Sequence, residues 1–155
     1  MKRMTILFTT LLIVGCGDDD GTTAPSPATT GTITGTLTLT GDNCPGTDLS
    51  ISLHENWYPT GAPASSDLEV IMNEGAYSYT LSNIPFGTYS AIAVSWDSGI
   101  ENNGTTEMTF GVYGTTFSWE TFQFGTPTSV TLSSESPTIE STDLAGDCTL
   151  LNMGQ

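Results

Sequence analysis

Residues 32–40, TITGTLTLT, place Ile33, Leu37 and Leu39 on one side of an extended chain and threonines on the other. A period of two is what a half-buried strand requires. The pattern recurs in Leu49, Ile51 and Leu53, with Ser50, Ser52 and His54 outward, and again in Tyr77, Tyr79 and Leu81. Residues 88–96 are rich in β-branched and aromatic side chains, which predicts a well-covered strand. Between these last two runs lies Asn83-Ile84-Pro85-Phe86-Gly87. It predicts a chain reversal in which Pro85 sets φ and Gly87 takes a positive φ.

Shorter extended runs are predicted over residues 68–72, 105–113, 115–124 and 129–132, with the 105–124 pair forming a hairpin near Gly114. Polar, turn-rich loops are expected over 41–48, 56–67 and 97–104. The last segment, with Ile139, Leu144, Leu150 and Leu151, reads equally as a final strand or a docked tail. Apolar residues at helical spacing are absent beyond the first 15 positions. The expectation is an all-β fold, an antiparallel Greek-key sandwich of about seven to eight strands within residues 31–155. The low charged fraction, 12%, suits polar-faced sheets better than a helical bundle.

The first 15 residues follow a different rule. Lys2 and Arg3 precede an apolar run of about ten residues, half of the roughly 20 needed to span a bilayer. That predicts a secretory signal peptide over residues 1–15. Residues 16–30, beginning CGDDDGTTAPSPATT, contain no aromatic or large aliphatic side chain and predict a flexible acidic tether. Asp18, Asp19 and Asp20 lack the alternating ligand spacing of a calcium loop and belong to that tether.

Ile13-Val14-Gly15-Cys16 resembles the lipobox of bacterial lipoproteins. The resemblance implies that Cys16 becomes the acylated first residue and that the partner is a membrane, engaged through those acyl chains. Gly17, not aspartate, follows Cys16, which points to the outer membrane of a cell envelope. An ordinary cleaved signal with a free Cys16 is the competing reading. If Cys16 is lipidated, Cys44 and Cys148 remain as an even pair in an exported chain, which reads as a disulfide.

Order and spacing carry a second resemblance. GTITGTLTLTG, then ISLHE, then GAYSYTLSNIPFGTY, is similar to the prealbumin-like domains related to the carboxypeptidase regulatory domain. The similarity runs from Gly31 to about Trp96. It implies a Greek-key sandwich used as a structural, adhesive or accessory module and does not imply catalysis.

Charge narrows the partners. Lys2 and Arg3 are the only basic residues, so a chain cut before Cys16 has 0 basic residues against 17 acidic ones, a formal −17. Such a surface repels nucleic acid; it reads as a device for solubility, with attraction for cations or a basic partner as the functional alternative. Enzyme chemistry is poorly supplied. His54 is the sole histidine and falls on the outward phase of its strand, no Cys/His set has zinc spacing, and no phosphate-binding glycine loop precedes a helix. The hydroxyisourate hydrolases of the transthyretin group use histidines and an arginine, and this chain has no arginine beyond Arg3.

Two binding chemistries stand beside a purely structural role. Trp57, Tyr58 and Trp96 offer flat apolar faces to a glycan or a peptide of an envelope protein. The competing reading makes Trp96 the end of a core strand and Trp57-Tyr58 a cap on the sandwich edge. Asp97, Glu101, Asn102 and Asn103 offer loop oxygens to a divalent cation such as calcium, against a plain polar loop. Trp119, between Phe117 and Phe122, reads as core. The expected function is a lipid-anchored, non-catalytic envelope module, with glycan-binding accessory protein and calcium-binding surface module as alternatives.

Overall fold

A computed structural model of the chain describes residues 26–65, 68–73, 76–102 and 105–154. Residues 1–25, which include the expected signal peptide, Cys16 and the first part of the expected tether, lie outside the described residues. The fold is all-β, and no helix among the described residues is long and apolar enough to cross a membrane. In chain order the strands are β1 (Thr30–Thr40), β2 (Leu49–His54), β3 (Leu68–Asn73), β4 (Ala76–Pro85), β5 (Gly87–Tyr89) and β6 (Ala91–Asn102). They continue with β7 (Thr105–Val112), β8 (Phe117–Ser118), β9 (Gln123–Phe124), β10 (Val130–Leu132), β11 (Thr138–Ile139) and β12 (Leu144–Asp147). A 3-10 helix, Cys148–Gly154, closes the chain.

The larger sheet runs β11–β1–β4–β3, with β12 also paired to β1, and a second runs β2–β6–β7; β5 with β10 and β8 with β9 form two small two-stranded sheets. The inner faces of the first two form one core, because alternation turns the apolar half of each strand inward. Ile33 and Leu37 meet Tyr79 and Leu81 from one sheet, and Ile51, Leu53, Ile92, Val94 and Phe110 from the other. All of these are essentially sealed from water.

Three local expectations change. Asn83–Gly87 is not a hairpin turn. β4 pairs with β1 and β3, whereas β5 pairs with β10 and β6 with β2 and β7, so this stretch carries the chain from one sheet to the other. The residue with positive φ is Asn83, at 58°, not Gly87. Asparagine tolerates that conformation because its short polar side chain can bond locally. Residues 97–102 are strand, not loop, since β6 runs on to Asn102 opposite Thr105. The 115–124 stretch divides into the small β8–β9 hairpin. Gly114 does turn the chain, at φ 73°.

The C-terminal segment is both strand and docked tail. β11 and β12 lie parallel to β1, with Thr32 opposite Thr138 and Leu37 opposite Leu144. Parallel pairing needs a long crossover, here nearly the whole domain. Side chains bridge the gap between the two short strands. Thr142 donates through its N–H (3.2 Å) and its hydroxyl (2.9 Å) to the Thr34 carbonyl. The Asp143 carboxylate accepts from the N–H (3.1 Å) and hydroxyl (2.6 Å) of Thr36.

Tyr79 reaches the same point from β4. Its phenol donates to the Thr142 carbonyl and lies 2.7 Å from the Thr142 hydroxyl. Gly35, directly opposite Tyr79 in the ladder, makes room for this contact. A Cβ there would run into the Thr142 carbonyl. Beyond β12, Cys148 is bonded to Cys44, with Cα atoms 5.1 Å apart, and Leu150 and Leu151 are buried against the core.

The disulfide joins residues separated by 104 positions, for which the chain-entropy account gives about 4–5 kcal/mol. We expect a Cys44→Ala/Cys148→Ala variant to lose most of that in urea unfolding, and reductant to lower wild type to the same level. A loss under about 1 kcal/mol would show that the docked tail holds without the staple.

Burial pushes the Tyr79 phenol up to about 12; the Thr142 hydroxyl pulls the other way, and the Asp143 charge adds to the rise. Because the folded value lies above the ordinary 10.0, the contribution is complete below pH 10 and is lost as pH rises towards 12. Two units correspond to about 2–3 kcal/mol. Tyr79→Phe should cost about 1–3 kcal/mol at neutral pH by stripping the Thr142 carbonyl of its donor. It should also flatten the fall in stability between pH 10 and 12, measured by urea unfolding across that range. An unchanged alkaline slope would remove Tyr79 as its cause.

Candidate functional site

The outer face of β6 carries Ala91, Ala93 and Ser95, small side chains that leave the sheet shallow at one end. Trp57 and Phe124 fill that space, packing against Ala91, Ala93 and Val112. Trp57 arrives on the loop after β2, which folds back on its own strand. The Ala64 N–H donates to the Leu53 carbonyl (2.7 Å) and the Leu53 N–H to the Ser65 carbonyl (3.3 Å). Ser90, between β5 and β6, ties the loop's start by donating its hydroxyl to the Glu55 carbonyl (2.7 Å). The Tyr58 hydroxyl donates to the Phe124 carbonyl (3.1 Å), clasping the loop to the β8–β9 hairpin.

Between loop and hairpin opens a cleft of about 560 Å³, rimmed by Trp57, Tyr58, Ser90, Phe124, Thr126 and Ser129. That is within the ordinary size of small-ligand sites. Among the described residues no charged side chain lines it, although the chain has 17 acidic residues. The rings of Trp57 and Tyr58 stack at 4.8 Å and 27°, and the peptide bond between them is cis. Phe124 meets Trp57 edge-on at 6.3 Å. The Trp57 indole N–H is buried with no hydrogen-bond partner.

Of the three aromatics offered as a candidate binding surface, Trp57 and Tyr58 lie together and Trp96 lies apart. Trp96 lies five residues from Ala91 along β6, roughly 17 Å, and on the opposite phase of the strand. It packs against the main core. Alternation alone explains the separation: Ile92, Val94 and Trp96 face inward where Ala91 and Ala93 face out. Trp119, expected in the core, is instead half-exposed at the hairpin tip. Its neighbours Glu120 and Thr121 were the polar sign of a turn, and the Thr121 N–H donates to the Ser118 hydroxyl there (3.3 Å).

Asp97 sits near the far end of the β6 outer face, opposite Glu107, and its carboxylate accepts from the Gly99 N–H (2.9 Å). The side chains of Glu101 and Asn102, and Asn103 entirely, lie outside the described residues. Among the described residues no three His, Cys, Asp or Glu side chains gather to hold a metal.

His54 is outward-facing but half-buried, beside a shallower depression of about 280 Å³. Its Nε2 is 2.8 Å from the Ser52 hydroxyl, and burial lowers its pKa, leaving a neutral ring at pH 7. Among the described residues no hydrogen bond brings a carboxylate to its other nitrogen, the place of the third group in a serine–histidine relay.

Comparison with known proteins finds no matching family model, no similar curated protein and no similar solved structure. The prealbumin-like and lipobox resemblances therefore rest on their residues alone.

The exposure of the three tryptophans differs in a way fluorescence can read. Trp119→Phe should remove most of the acrylamide-quenchable emission, while Trp96→Phe and Trp57→Phe should leave it. Equal quenching in all three variants would contradict a half-exposed Trp119.

Proposed function

We propose that this chain is a lipid-anchored, non-catalytic module of the bacterial cell envelope that binds neutral glycans in the Trp57–Tyr58–Phe124 cleft. The observation that carries the reading is an uncharged aromatic cleft in a chain that is otherwise strongly acidic. Sugar rings present C–H faces that settle on the electron-rich faces of aromatic rings, and hydroxyls that pair with polar rims. The exposed ring of Tyr58, backed by Trp57, offers the former, and Ser90, Thr126 and Ser129 the latter. An acidic ligand would meet repulsion from the surrounding surface, and a cationic one would find no carboxylate among the described residues that line the cleft.

Anchoring rests on the lipobox-like residues ending in Cys16, and the accessory role on the prealbumin-like spacing of the strands. A purely structural module is the second reading, supported by the unbroken core and the covalent closure of the chain.

Affinity electrophoresis of the native protein through gels containing cellulose derivatives, xylan, mannan or soluble chitin tests the binding, with Tyr58→Ala as control. Retardation by at least one neutral polymer, lost in Tyr58→Ala, is expected. Equal mobility in every gel would leave the structural reading. In cells, Cys16→Ala should move the protein from the membrane to the soluble fraction; continued membrane association would remove the lipid anchor.

A further inference from the structure

The aromatic surface does not stop at the cleft. Phe124 contacts Phe117 at 5.3 Å, Phe117 contacts Trp119 at 5.3 Å, and Trp119 contacts Phe122 at 6.4 Å, all with rings near perpendicular. Phe117 and Phe122 also meet, at 6.4 Å. Six rings, from Tyr58 through Phe122, thus form one continuous path. The exposed large apolar side chains among the described residues are Tyr58, Trp119 and Phe122, at 49%, 50% and 67%, and all three lie on it. Single exposed aromatics are unremarkable in any protein, but a contiguous set marks an interaction surface.

We propose that Trp119 and Phe122 form an outer subsite that makes this a site for an extended, uncharged polysaccharide chain, not for a mono- or disaccharide. This rests on the reading of the cleft as a sugar site. Three observations carry it. Trp119 lies two ring-to-ring steps of 5.3 Å beyond Phe124, outside the cleft, so a ligand confined to the cleft cannot use it. The tip is held in shape: β8 and β9 pair through Phe117 and Phe124, the Ser118 hydroxyl accepts from Thr121, and Phe122 takes φ 53°. That positive φ is uncommon for a bulky aromatic residue. Charge excludes an anionic occupant, since Glu120 stands between Trp119 and Phe122 and no Lys or Arg occurs beyond residue 3. An anionic glycan or an anionic bilayer would be repelled.

The test is isothermal titration of the full chain with glucan, xylan, mannan and chitin oligosaccharides of two to eight units. In the series that binds, affinity should rise with length beyond the units the cleft holds. Trp119→Ala and Phe122→Ala should each remove that gain, about three- to tenfold per ring by the usual worth of an aromatic contact. Both should leave the shortest binding oligomer unaffected. Both side chains are exposed, so the fold should persist, checked by an unchanged urea midpoint.

Short oligomers that bind with no length gain, or a gain that survives both substitutions, would overturn the outer subsite while leaving the cleft. No binding at any length would overturn the cleft reading and the subsite with it. Trp119-dependent self-association in sedimentation, or Trp119-dependent binding to phosphatidylcholine vesicles, would assign the ridge to a second copy or a lipid surface and overturn the proposal.

Discussion

The structure depends on the closure of its last residues onto its first strand. β1 would otherwise be a sheet edge, with a row of unpaired N–H and C=O groups open to solvent and to other chains. β11 and β12 cover that edge, the Thr142 and Asp143 side chains fill the gap between them, and Tyr79 reaches across Gly35 to lock the junction. The disulfide makes the closure covalent one residue beyond β12. A chain with no Lys or Arg beyond residue 3 has almost no ion pairs with which to hold such a contact. Hydroxyls, backbone groups, one phenol and one disulfide take that part.

The cleft inherits its shape from the same arrangement. Its rim over residues 124–129 lies between β7 and β10. β7 is held in the β2–β6–β7 sheet, and β10 is held against β5 before the chain continues into the closing segment. The opposite wall is a loop sewn to its own strand and to Ser90. Aromatic side chains that would be unfavourable on a free loop are thereby kept in fixed contact with the shallow outer face of β6. The pairing of Asp97 with Glu107 near the other end of that face shows how differently the two ends of one strand are used.

The strands that alternate strictly were legible in advance, and so was the cysteine pair. Ile33, Leu37, Ile51, Leu53, Tyr79 and Leu81 all point where their period of two places them. The aromatic site was half-legible. Trp57 and Tyr58 are neighbours in sequence, but Phe124 joins them from 66 residues beyond Tyr58. Trp96 follows the reading that makes it the end of a core strand, as its phase, shared with Ile92 and Val94, already indicated. Trp119 was misassigned because a run of alternating aromatics reads as a strand until the turn at Glu120 and Thr121 is recognised.

By itself the sequence determined the all-β class, the inward phase of the long strands, the absence of cationic groups beyond residue 3, and the two cysteines available for one bond. These are local or compositional facts, and side-chain alternation expresses them without reference to any distant residue. Only the tertiary structure decided that Asn83–Gly87 crosses between sheets, that the tail runs parallel to β1, and that six rings from two distant segments meet on one face. The first two depend on long-range strand pairing, and the third also on the small residues of β6 that receive Trp57 and Phe124. A period of two says which face a side chain takes but not which strand will lie beside it.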